Sequence, residues 1–283
     1  MSISANPKDI RALVLDLDGT TLAPAKVLTE RTIRAVKACE RRGLRIIVAT
    51  GRALEAAEPF RSSLGVKGPM IYCNGAMVAD MPGENIISAT LLDVEAALFC
   101  ADLSRETGVY YQVFFPGWEG NPRRSLMTEQ DMPEREMYHQ HTGLLPEIGD
   151  LKEALSRPGL PGCIKCMFLA EPAVQDTLRP KIDARLGDSV YVAQTYLTFL
   201  EIMNSKVSKG AALKFILEKL SLRREEVIAF GDEENDLPML TAAGYAIAPS
   251  NAKENVRAAA DLVIGSNAED GVAAFLEDFF GLG

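Results

Sequence analysis

Two short segments of this sequence carry carboxylates in a pattern that binds hard cations. Asp16-Leu17-Asp18-Gly19-Thr20 directly follows an apolar run, residues 12–15. A spacing of two puts both carboxylates on one face of an extended segment, and a glycine just behind them lets the chain turn sharply. Two anions held that close call for a cation or a shared proton. The second segment, Gly231-Asp232-Glu233-Glu234-Asn235-Asp236, follows the apolar run 227–230. If both runs are strands of one sheet, Asp16, Asp18 and Asp232 converge at one edge with hard oxygen ligands, a set that suits Mg²⁺ rather than zinc. The plainer alternative is a pair of acidic turns facing water, above all for Glu233 and Glu234. An EF-hand loop fits poorly, because its glycine belongs at the sixth position and here it stands fourth.

Two further segments carry groups that hold anions. Thr50-Gly51 supplies a hydroxyl and exposed backbone N–H groups after the apolar run 45–49. Lys209, flanked by Ser208 and Gly210 at a helix start, supplies a point charge beside a helix N-terminus, which already favours anions. Lys206 competes for that role unless it is an exposed surface charge.

All of these residues stand where an apolar run stops at polar or glycine-rich chain, and the runs 70–73 and 245–248 end the same way at Asn74-Gly75 and Pro249-Ser250-Asn251. Helical patterns separate the runs. One is expected over 29–42, with Thr29 as N-cap and Gly43 as its stop, and others over 208–220 and 252–260. Buried strands alternating with helices predict an α/β core, a mostly parallel sheet with helices on both faces whose ligands bind beyond the carboxyl ends of the strands. From about Leu91 to Met203 the pattern changes. It predicts a helix over 93–107, a strand over 109–115, a loop-rich polar stretch over 116–146, a strand over 163–169, a helix over 172–186 and strands over 190–194 and 198–203. This reads as an inserted α+β domain with an antiparallel sheet. The expected division is 1–90 and 204–283 for the core and 91–203 for the insertion.

Composition narrows the partners. A net charge of −9 leaves no basic excess for nucleic acid, and no block of Lys or Arg suggests an anionic membrane surface. No apolar run nears the ~20 residues of a membrane helix, and the polar segment 1–11 with four apolar residues after it is no signal peptide, so a cytoplasmic protein is expected. Five cysteines are too few for a disulfide scaffold. Cys163 and Cys166 form a single CxxC; placed on a strand they would point to opposite faces and serve packing rather than metal or redox chemistry.

Taken in order, these motifs resemble those of the haloacid dehalogenase superfamily of phosphohydrolases. Asp16-Leu17-Asp18-Gly19-Thr20 is similar to its first motif, Thr50 to its second, Lys209 to its third and Gly231-Asp232-x-x-Asn235-Asp236 to its fourth. The insertion, Asn74-Gly75-Ala76 and Val207-Ser208-Lys209-Gly210 resemble the Cof-type sugar-phosphatase branch. The likeness covers about 12–88 and 204–275; the stretch Ala248-Pro249-Ser250-Asn251-Ala252 departs from the usual methionine-containing form without touching a motif residue.

The resemblance implies a Rossmann-like core with a cap, and a phosphatase acting on small phosphorylated metabolites, sugar phosphates foremost. Asp16 would be the nucleophile that forms an aspartyl-phosphate and Asp18 the acid/base. Mg²⁺ would be held by the Asp16 carboxylate, the Asp18 backbone carbonyl and Asp232. Thr50, Lys209, Asn235 and the N–H groups of Leu17 and Gly51 would bind the phosphoryl group, and Asp236 would orient the metal's waters or Lys209. The cap would close over the site and set specificity, with Arg123, Arg124 and Lys165 as candidates, while His139 and His141 read as loop surface. Two alternatives remain open, a phosphomutase of the phosphomannomutase type and a non-catalytic phosphate-binding or phosphoacceptor module. Oligomeric state is not legible.

Overall fold

The computed structural model describes residues 4–80, 85–116, 126–158 and 162–282. β1 (Ala12–Asp16) is buried along its whole length, which explains its unbroken apolar run: a strand covered on both faces has no polar side to show. It pairs in parallel with β2 (Arg45–Ala49) on one side and β12 (Val227–Phe230) on the other. Parallel pairing continues from β2 to β3 (Met70–Tyr72) and from β12 through β13 (Tyr245–Pro249) to β14 (Leu262–Ile264). β4 (Met77–Ala79) turns back antiparallel on β3, and β5 (Ile86–Ala89) ends the order β14-β13-β12-β1-β2-β3-β4-β5. The chain leaves β1 first for β2 and later for β12, so the strand order reverses at β1. The carboxyl ends of β1 and its two neighbours therefore flank a crevice, the usual place for a ligand in an open parallel sheet.

Helices complete this unit. α1 (Glu30–Arg41) begins at Thr29, whose hydroxyl accepts the Thr32 N–H at 3.1 Å, and it packs against α10 (Gly271–Phe280). α2 (Leu54–Leu64) follows β2. α7 (Lys209–Leu220), capped by Ser208, packs on α8 (Leu237–Ala242), and with α9 (Glu254–Ala259) they bury Leu213, Ile216, Met239 and Val256 against Ala12 and Val14 of β1. Leu13 and Leu15, equally buried, point to the opposite face by strand alternation.

The chain divides into two compact units, one of Met1–Ala53, Ala57–Ile87 and Ser208–Gly283, the other of Leu54–Ala56 and Ser88–Val207. The second has a six-stranded sheet built from β6 (Tyr110–Phe114), β7 (Leu126–Thr128), β8 (Glu147–Ile148), β9 (Lys165–Leu169), β10 (Val190–Tyr196) and β11 (Phe199–Asn204). Their order is β10-β11-β9-β6-β7-β8, antiparallel except between β7 and β8. α3 (Val94–Thr107), α5 (Leu151–Leu155) and α6 (Pro172–Leu186) supply Ala97, Cys100, Leu151, Leu155, Leu178 and Ile182 to its core.

Two expectations for this unit need correction. The stretch read as loop-rich contains β7 and α4 (Pro133–Thr142), so His139 and His141 lie in the last turn of a helix rather than in a loop. Pro133 at the first helical turn sets the required φ, and the helix ends at a left-handed Gly143, signals that the polar surface of the helix obscured. The CxxC cysteines do not face opposite ways. Cys163 precedes β9, after Gly162 with φ +95°, and bridges Leu92, so the strand period does not run through it; Cys163 and Cys166 share one apolar cluster with Cys100. Burial raises the Cys163 thiol well above its ordinary pKa, which suits packing. Among the described residues, no helix is long and apolar enough to cross a membrane.

Candidate active site

β1 and β12 pair in register from Ala12 with Val227 to Leu15 with Phe230, so the two acidic segments emerge side by side. Gly19 makes their close approach possible: its φ is +81°, and a Cβ there would stand 2.1 Å from Asp232 Oδ2. The Thr20 hydroxyl donates to Asp232 Oδ1 at 2.6 Å, and Asp236 Oδ2 accepts the N–H groups of Asp232 (3.0 Å) and Glu233 (3.1 Å). The carboxylates of Asp16, Asp232 and Asp236 all come within 4.8 Å of one another and are buried.

Among the described residues, one buried cation bonds to them. Lys209 is 1% exposed at the start of α7, and its Nζ donates to Asp16 Oδ1 and Asp236 Oδ1, both at 2.6 Å. Lys206 is exposed. One ammonium among three buried carboxylates leaves negative charge uncompensated. Burial, then Asp236, raises the Asp16 carboxyl well above its ordinary range, and burial pushes Asp232 up to about 6. The carboxylates in turn raise the Lys209 ammonium against the opposing effect of burial. A hard divalent cation fits this deficit and this all-oxygen donor set.

Asp18 does not join the cluster of three carboxylates. β1 ends at Asp16, so the period of two stops there, and the Asp18 carboxylate accepts from Arg52 Nε (2.7 Å) and Nη2 (2.5 Å) instead. The Arg52 guanidinium lies 4.7 Å from the centre of the Phe60 ring, and its backbone N–H donates to Thr50 Oγ1 at 3.1 Å. Thr50 is fully buried; its N–H donates to the Ile71 carbonyl and its own carbonyl accepts the Asn74 N–H. Asn235 Nδ2 donates to Asn74 Oδ1 at 2.8 Å, and Gly51 stands against the same asparagine. Leu17 is buried and its carbonyl accepts the N–H groups of Thr20, Thr21 and Leu22, closing the loop after β1.

A protein-family model described as haloacid dehalogenase-like hydrolase matches residues 13–276. The chain belongs to this family. A putative phosphatase of Haemophilus influenzae is 34% identical over 96% of this chain and 97% of its own length. A pyridoxal phosphate phosphatase of Escherichia coli is 29% identical over 94% of this chain and 97% of its own. The crystal structure of a Thermotoga maritima protein has a TM-score of 0.83 at 30% identity, covering 95% of this chain and 97% of that one.

Within this haloacid dehalogenase-like site, sequence reasoning missed Arg52 as the partner of Asp18, and named Thr20 and Asn74 in motifs without their bonds to Asp232 and Asn235. Thr20 lies within a motif, Arg52 directly after one and Asn74 just past the end of β3, which is the available signal; their contacts span distant parts of the chain. Of the other candidates, Lys165 is buried in β9, ion-paired with Glu201 of β11 and 4.6 Å from the centre of the Phe114 ring, while Glu201 Oε2 has no hydrogen-bond partner among the described residues. His141 contacts the Phe199 ring edge-on. Arg123 and Arg124 lie outside the described residues.

Proposed function

We propose that this chain is a cytoplasmic, Mg²⁺-dependent phosphomonoesterase for small phosphorylated metabolites, sugar phosphates among them, working through an aspartyl-phosphate on Asp16. That it is a phosphatase rests on its family and on relatives named as phosphatases. The observation that carries the finer reading is the cluster itself: a buried carboxylate at the end of the central strand, held by a buried lysine, beside two more carboxylates short of positive charge.

In this reading Asp16, kept in one orientation by Lys209, attacks phosphorus, and the bond to the ester oxygen breaks as an acyl phosphate forms on Asp16. Asp18 in its acid form gives a proton to the departing alkoxide, and the carboxylate left behind is the form that Arg52 fixes by two hydrogen bonds. Asp18 then takes a proton from the water that cleaves the acyl phosphate, which restores Asp16 and releases inorganic phosphate. Lys209, Thr50, Asn235 and the Leu17 and Gly51 N–H groups supply donors to the equatorial oxygens, where charge accumulates. Mg²⁺ bound through Asp16, Asp232 and the Asp18 carbonyl, with Asp236 supporting, would lower the repulsion between the anionic nucleophile and the anionic ester.

The test is release of inorganic phosphate from p-nitrophenyl phosphate, pyridoxal phosphate and a panel of sugar phosphates, with Mg²⁺ or with chelator, by wild type and Asp16→Asn. Metal-dependent release that is lost in the variant supports the reading. A folded, Mg²⁺-loaded wild type that releases none overturns it. Conversion of a hexose 1-phosphate to its 6-phosphate without free phosphate would point to a mutase instead.

A further inference from the structure

Cys73, Asn74 and Gly75 take φ values of +48°, +58° and +102° in succession, just after β3. Positive φ is unfavourable for a residue with a side chain, and it persists only where the surroundings over-determine it. Here they do. The Cys73 N–H donates to the Arg52 carbonyl and the Asn74 N–H to the Thr50 carbonyl, each at 3.0 Å, and the Ala76 N–H closes the turn on Cys73. At Gly75 a Cβ would come within 2.2 Å of the Ser208 carbonyl, the residue before Lys209. One strained turn thus touches the segments that carry Thr50, Gly51 and Lys209, and the Asn74 side chain adds Asn235.

That last bond decides how the Asn235 carboxamide is turned. Only its NH₂ end can serve the Asn74 oxygen, 2.8 Å away, and Asn74 is itself 3% exposed with its backbone N–H held by the Thr50 carbonyl. Asn235 Oδ1 is meanwhile buried with no hydrogen-bond partner among the described residues. A buried acceptor left unsatisfied is unfavourable, so the orientation comes from Asn74 and not from the rest of the surroundings. The bond uses one hydrogen of the Asn235 amide and leaves the second for an anion.

We propose that Asn74 is a positioning residue: it sets the Asn235 amide, and with it the donor offered to the phosphoryl group, and acts through Asn235 rather than on the substrate. The inference rests on the phosphatase reading, in which Asn235 is a phosphoryl ligand.

Asn74→Gly is the informative variant, because glycine accepts the positive φ and only the side chain is lost. We would measure kcat and KM for p-nitrophenyl phosphate, and Kd for inorganic phosphate on the Mg²⁺-loaded protein, in wild type, Asn74→Gly, Asn235→Ala and the double variant. Asn74→Gly should weaken phosphate binding and raise KM by about 10-fold, the worth of one well-made hydrogen bond. On the Asn235→Ala background the same change should cost less than about 2-fold, the coupling expected of contacting residues. In wild type, the side-chain NH₂ resonances that vanish in Asn235→Ala should show one slowly exchanging proton and should move on adding phosphate, a readout independent of how the glycine variant folds. Losses that multiply across the two backgrounds, or an Asn235 amide that exchanges freely, would overturn the role of Asn74 while leaving the phosphatase reading intact. A wild type that neither releases nor binds phosphate would remove that reading and the role of Asn74 with it.

Discussion

Lys209→Met removes one positive charge from a place where two carboxylates depend on it at 2.6 Å and water does not reach. Methionine keeps most of the volume, so the cost is electrostatic. Breaking a buried ion pair from one side costs about 3–5 kcal/mol, because a charge is left buried without a partner. At ~2–4 °C of Tm per kcal/mol for a domain of ordinary size, the melting temperature should fall by roughly 10 °C at pH 8 without metal. The lysine's folded-state pKa is raised above 10.5, so its contribution is fully present at every pH below that value. The pH dependence of the deficit must therefore come from the carboxyls. Asp16 and Asp232 have folded-state values raised above 3.8, the latter to about 6, so they take up protons in the folded state before the unfolded chain does. Lys209 lowers both carboxyls, so in the variant they rise further, and as pH falls from 8 to 5 the deficit of Lys209→Met should shrink, by about 1.4 kcal/mol for each pH unit over which a proton is held by the folded variant but not by the folded wild type. Adding Asp236→Asn, which removes one of the stranded carboxylates, should restore part of the loss. The assay is urea unfolding at pH 8 and pH 5 in the presence of chelator. A loss under about 1 kcal/mol at pH 8, the range of an exposed pair, or a deficit that grows toward pH 5, would refute the reasoning.

Wild type without metal should itself lose stability as pH rises from 3.8 to about 6, since the folded state favours the protonated Asp232. The full span is worth roughly 3 kcal/mol, and saturating Mg²⁺ should flatten it in thermal unfolding followed across that window. Arg52→Ala should reduce turnover on the order of 10- to 100-fold by freeing Asp18, yet change unfolding free energy by less than about 1 kcal/mol, because the Asp18 side chain is 47% exposed. Activity and stability that fall together would show a merely structural arginine. In the second unit, Lys165→Met should cost about 3–5 kcal/mol by stranding Glu201, whereas Lys165→Met with Glu201→Leu should recover most of it in denaturant titrations.

Local pattern accounts for what could be read along the chain. The runs that became β1, β2, β12 and β13 were legible because a strand buried on both faces must be apolar throughout, and α1 and α7 because Thr29 and Ser208 accept backbone N–H groups at their starts. α4 was not, because its surface is polar over most turns and only Tyr138 is buried. The shared cluster of Cys163 and Cys166 escaped notice for a related reason: two-residue alternation describes a strand, and Cys163 lies outside it.

The carboxylates, threonine, lysine and asparagine of the site, and the strand ends that present them, were determined by the sequence itself, since both follow from neighbours within a few residues. Which of them meet was decided only in three dimensions. Asp16 and Asp18 are two residues apart, yet one faces Lys209 and the other Arg52, because regular alternation ends with β1. Lys209 rather than Lys206 is buried, Asp236 joins the cluster of three, and Asn74 turns the amide of Asn235 across 161 positions of chain. Such contacts depend on parallel pairing at the centre of a sheet, which joins distant segments by backbone hydrogen bonds that leave no mark on the side chains between them.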